Sequence, residues 1–101
     1  MHNKIYHNKI VLVTGVGKGI GKYLLKHLSE NGAFVYGLTR SKTDVKKLKF
    51  KNTKIFHGDV RNIKLIKKIF IKAKLEKKII NSLVNNAGIR QRLNFEKISN
   101  K

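Results

Sequence analysis

The 101 residues predict an α/β fold on a parallel sheet, with strands and helices alternating as βαβαβαβ. Three observations carry that expectation. Short apolar runs alternate with segments of helical periodicity, and the connections between them are short. The first run also leads through a glycine turn, Thr14-Gly15-Val16-Gly17-Lys18-Gly19-Ile20-Gly21, directly into an apolar-periodic segment. Strand, glycine turn and helix start is the order that a dinucleotide phosphate site requires.

Taken in order, Met1 to Asn8 form a polar lead-in, and Lys9 to Thr14 read as the first strand. Its continuous apolar core suits a central parallel strand covered on both faces. Gly15 lets the chain turn sharply out of that strand, Gly19 leaves room for a pyrophosphate, and Gly21 lets the new helix lie close. The first amides of that helix lack partners and sit at the positive end of its dipole, which suits an anion. The helix spans Gly19 to Asn31, with Ile20, Leu24, Leu25 and Leu28 on its inner side, and Asn31-Gly32 stops it.

Ala33 to Thr39 is the second strand, Ser41 to Leu48 a weaker helix, and Thr53 to His57 the third strand, ending in Gly58-Asp59-Val60. Asn62 is placed to cap the third helix, whose stripe is Ile63, Ile66, Phe70 and Ala73, widened by Leu65 and Ile69. The lysines opposite that stripe read as a solvated face. Ile79 to Asn85 is the fourth strand. Short connections and right-handed crossovers give a Rossmann-type doubly wound sheet in the order 3-2-1-4, with a ligand at the carboxyl ends of strands 1 and 4. The chain reads as the N-terminal half of such a sheet, a single incomplete domain over residues 1–101.

Composition narrows the chemistry. The sequence has no cysteine, which removes disulfide, thiolate and zinc-thiolate chemistry. His2, His7, His27 and His57 show no ligand spacing with acidic partners, so no metal site is expected. Ile10 to Val13 is too short for a signal core or a membrane span, and a cytoplasmic protein without membrane partners is the default. The net charge of +19 invites a nucleic-acid reading. Against it, the lysines are spread along the whole chain and lack interleaved aromatics for base stacking. Lys, Ile and Asn also use A/T-rich codons, so base composition explains the charge more simply.

The framework glycines Gly15, Gly19 and Gly21 give T-G-x-x-x-G-x-G, with Gly17 an extra, and Asn85-Asn86-Ala87-Gly88 follows strand 4. Together these resemble the motifs of the short-chain dehydrogenase/reductase family, nicotinamide-dependent oxidoreductases, over Lys9 to Ser99. The resemblance implies that Thr14 to Gly21 take the pyrophosphate. It implies that Asp59 and Val60 contact adenine, and that Asn86, Ala87 and Gly88 lie under the cofactor while Asn85 braces the sheet. The end of strand 2 decides the ribose: a carboxylate there favours NAD, a cation a 2′-phosphate. Here Thr39-Arg40-Ser41 has no acid in sequence until Asp44. Arg40 offers a planar fork suited to phosphate, and Lys18 stands where similar NADP-using members carry a second basic residue. NADP(H) is therefore expected over NAD.

Members of the family move hydride between nicotinamide and a carbonyl or alcohol, using a Tyr, a Lys and a Ser. In the resemblance these lie downstream of Asn85-Asn86-Ala87-Gly88, together with an Asn on the helix that Ser99 begins. Tyr6, Tyr23 and Tyr36 do not stand in that pattern, and Tyr23 with Lys26 is only an i, i+3 pair, so no catalytic residue is assigned. Phe95-Glu96-Lys97-Ile98 matches the turn before the family's next long helix, and Ser99 its N-cap, two residues before the last. The expectation is a truncated or partial chain, marginal alone and inactive on a small carbonyl or alcohol substrate. The full-length form would be a homo-oligomer. Arg90 and Arg92 read as solvated beside the substrate mouth. A non-catalytic NADP-binding module is the second reading, and a nucleic-acid-binding protein the third.

Overall fold

A computed structural model of the protein describes residues 5–17 and 19–86. The elements follow in the expected order: β1 (Ile10–Thr14), α1 (Gly19–Glu30), β2 (Phe34–Thr39), α2 (Lys42–Lys47), β3 (Thr53–His57), α3 (Ile63–Leu75) and β4 (Ser82–Asn85). All pairings are parallel and the sheet order is β3-β2-β1-β4. The two most apolar strands, β1 and β2, occupy the middle, where helices cover both faces.

Side chains alternate across the sheet with period two. Val11 and Val13 point to one face and pack with Leu25 and Leu28 of α1, Ala33, Val35 and Leu48. Leu12 points to the other and packs with Tyr36, Leu38, and Ile69 and Ala73 of α3. Full burial of a side chain such as Leu25 or Ile69 contributes roughly 1.5–3 kcal/mol. The polar tip of Tyr36 in this second layer is satisfied, since its hydroxyl donates to Glu76 Oε1 at 2.8 Å and Lys54 pairs with the same carboxylate.

Helix ends are built as the sequence implies. The Asn62 side chain accepts from the Leu65 amide and caps α3, and Gly32 takes φ 105° to end α1.

Three boundaries or faces differ from expectation. Ile20 is not on the inner side of α1 but 60% exposed. The contact face runs through Gly21, Leu25, Leu28 and Ser29, because only the residue without a Cβ can approach β1, and this turns Ile20 outward. On α3 the contact stripe is Leu65, Ile66, Ile69 and Ala73, leaving Ile63 and Phe70 on an exposed flank. Leu65 fills the space over Gly58 and Glu76 reaches Tyr36 and Lys54, which rotates the helix toward β3. Strand β4 begins at Ser82 rather than Ile79. Lys77 takes φ 63° to leave α3, and residues 79–81 climb to the sheet, where Asn81 Oδ1 accepts from the Ile10 amide. No helix among the described residues is long and apolar enough to cross a membrane.

Candidate functional site

The glycine turn leaves β1 at Thr14 and crosses the end of β2. Gly15 takes φ 70°, and its amide and that of Val16 both donate to the Leu38 carbonyl, at 2.8 and 3.2 Å. Val16 is fully buried because it sits over Gly37, where a Cβ would come within 3.1 Å of the valine. Gly37 is thus part of the turn's foundation, although the sequence marks it only as one residue of a strand.

Gly21 is the closest approach in the molecule's turn. A Cβ there would lie 1.8 Å from the Gly15 carbonyl oxygen and 2.5 Å from Asn86 Nδ2. That amide nitrogen donates to the same Gly15 oxygen at 2.8 Å, while Thr14 Oγ1 donates to Asn85 Oδ1 at 2.9 Å. The adjacent asparagines therefore do different work: Asn85 ties the ends of β1 and β4, and Asn86 is buried and fixes the turn itself.

Space opens at Gly19. Gly19 has φ 61°, and a Cβ built on it would meet nothing within 4 Å. No acidic side chain occupies the first turn of α1, so its amides carry no carboxylate of their own. Ile20 stands exposed beside them. A left-handed glycine with space beside it, at the start of a helix whose first turn holds no acidic residue, suits the pyrophosphate of a dinucleotide. Lys18, Ala87 and Gly88, also expected at this site, lie outside the described residues, as do Arg90, Arg92 and the segment 95–99.

At the carboxyl ends of β2 and β3 the site is made of side chains. Thr39 Oγ1 accepts from the Ser41 amide at 3.1 Å and donates to Asp44 Oδ2 at 3.4 Å. Asp44 is five residues beyond Thr39 in sequence, yet its carboxylate faces Gly17 so closely that a Cβ there would come within 2.3 Å. Proximity in sequence did not reveal that acid. Asp59 turns the chain after β3, its Oδ1 accepting from the Arg61 amide at 2.8 Å. The Arg61 guanidinium closes on both carboxylate oxygens, Nε to Oδ1 at 3.1 Å and Nη2 to Oδ2 at 2.7 Å. Arg40 stands farther off, its Nε 3.8 Å from Oδ2. The Arg61 fork and amide, more than Arg40, hold the Asp59 carboxyl well below the usual carboxylate range. Val60 is half-buried against the α3-side core.

Two of the sequence's tyrosines lie away from the turn. Tyr23 stacks on His27 on the outside of α1. Tyr36 is buried, and desolvation and then Glu76 push its hydroxyl upward, the reverse of what a tyrosine base requires. Among the described residues no cluster of His, Asp or Glu is placed to hold a metal ion.

Comparison with known proteins agrees with this geometry. The family described as short chain dehydrogenase matches residues 9–101. An uncharacterized oxidoreductase of Saccharomyces cerevisiae is 38% identical over 86 residues, which is 80% of this chain and 34% of that protein. The NADPH-dependent 3-dehydrocapnine reductase of Ornithobacterium rhinotracheale is 34% identical over 86 residues, 80% of this chain and 30% of that protein. A solved structure from Pseudomonas syringae shares the fold with TM-score 0.68 at 19% identity, covering 81% of this chain and 38% of the other. The chain thus spans about a third of the length of the relatives it matches. With a family match that takes in every strand and helix from β1 to β4, the chain belongs to the short-chain dehydrogenase/reductase family.

Proposed function

We propose that this chain is the cofactor-binding part of an NADP(H)-dependent oxidoreductase that interconverts a carbonyl and an alcohol. The bound nicotinamide would supply the hydride to the carbonyl or accept it from the alcohol. Thr14, Gly15, Gly17, Gly19, Ile20 and Gly21, with Lys18, hold the pyrophosphate; Asp59 and Val60 take the adenine; Asn86, Ala87 and Gly88 support the nicotinamide end. Arg40 reads the 2′-phosphate.

The observation that carries the NADP(H) preference is the exposed Arg40 guanidinium directly after Thr39, where an acid would favour NAD. The NADPH dependence in the name of the Ornithobacterium reductase supports the same preference. Asp44, on the Gly17 side, is already engaged with Thr39. No Tyr-x-x-x-Lys spacing occurs in the sequence, so hydride transfer is assigned to the protein as a whole rather than to any of these 101 residues.

Calorimetric titration of the protein with NADPH and NADH at moderate salt tests the assignment. The expected result is tighter NADPH binding, with Arg40→Ala weakening NADPH about tenfold and leaving NADH unchanged, as for loss of a charge-assisted hydrogen bond. Equal or tighter NADH binding would refute it.

A further inference from the structure

We propose that Arg61 is a positioning residue for cofactor choice: by occupying the Asp59 carboxylate it keeps the Arg40 guanidinium available for a 2′-phosphate. The inference rests on the NADP(H) reading above and adds a residue to it.

The geometry is that of two cations competing for one anion. Asp59 offers two oxygens at the carboxyl end of the sheet, within reach of Arg40 just after β2 and Arg61 from its own turn. Arg61 has taken both, as a fork at 2.7 and 3.1 Å, and adds its backbone amide to Oδ1 at 2.8 Å. A bidentate fork of this kind is the strongest pairing an arginine makes with a carboxylate. Arg40 is left with a single approach at 3.8 Å and a side chain 73% exposed.

Without Arg61, the unpaired carboxylate has one nearby guanidinium left to turn to. Arg40 would then spend its fork on Asp59, and a carboxylate would stand beside the position of the incoming phosphate. Both effects weaken a ligand carrying a 2′-phosphate and leave one with a plain ribose unaffected. Because all three groups are partly or largely exposed, the coupling is modest.

The test is a double-mutant cycle read as the ratio of NADPH to NADH affinity, measured calorimetrically on wild type, Arg61→Ala, Asp59→Asn and the double variant. Dividing by the NADH affinity removes any loss at the shared adenine or of folded protein. Arg61→Ala is expected to lower the ratio about two- to fivefold, as for an exposed ion pair. In the Asp59→Asn background, where no carboxylate remains to capture Arg40, the same change should leave the ratio unmoved. An unchanged ratio in Arg61→Ala overturns the inference. So does an equal drop in both backgrounds, which would mean Arg61 touches the phosphate itself. A wild-type protein with no NADPH preference removes the underlying reading, and this inference with it.

Discussion

At the glycine turn, position is set by main chain: Gly15 donates to Leu38, accepts from Asn86, and lies against a Gly21 that has no Cβ to push it away. Across the sheet, at the ends of β2 and β3, position is set by charge: Arg61 clamps Asp59 with Arg40 standing farther off, and Asp44 reaches Thr39. The first arrangement tolerates no change of shape, because its contacts are already at the limit of approach. The second tolerates changes of shape but not of charge. In the proposed cofactor site this separates a rigid receiver for a group that every dinucleotide has from an adjustable reader for a group that only some have.

The sharpest way to break the contrast is Gly21→Ala. A methyl 1.8 Å from a backbone oxygen forces α1 away from β1, at a cost of about 3 kcal/mol or more. Urea denaturation should show the loss, and binding of both cofactors should fall together. Next in size is Asn86→Ala, which removes the amide that holds the Gly15 carbonyl from a buried position. About 1–3 kcal/mol should be lost, again by urea denaturation, with no change in the NADPH to NADH ratio.

The smallest effect concerns pH and belongs to the charged end alone. Asp59 has a depressed carboxyl in the folded protein, chiefly through Arg61. Its contribution is therefore in place above the ordinary Asp pKa of about 3.9 and is lost as pH falls toward the lower folded value. Melting temperature should drop less steeply in Asp59→Asn than in wild type below about pH 4. Parallel curves would show that the Arg61 clamp adds nothing to stability.

The same contrast explains what the sequence could and could not tell. Gly15, Gly19 and Gly21 were legible because backbone dihedrals and Cβ exclusion are local and specific to one residue type. The strand order followed from alternation and short crossovers, and Asn62 from its place before an apolar stripe. Arg61 was not legible: among 24 lysines and arginines one more cation carries no signal, and its meaning depends on which carboxylate it meets. Asp44 was set aside by its distance in sequence, which the first turn of α2 removes. Ile20, Ile63 and Phe70 were assigned inward on periodicity alone. Which edge of an apolar stripe is buried depends on partners such as Glu76 and Gly58 that lie outside the helix.

The brace on the glycine turn also has a history in time. Thr14 meets Asn85, and Gly15 meets Asn86, across 71 positions of chain, whereas β1 and β2 pair through a much shorter loop. Closing the longer loop costs more chain entropy, and contacts of high sequence separation form late. Docking β4, with Asn85 at its end and Asn86 next in the chain, therefore costs more chain entropy than pairing β1 with β2. One opening event at the end of β4 would release Asn85 and Asn86 together, so the turn is at its stiffest only with β4 docked.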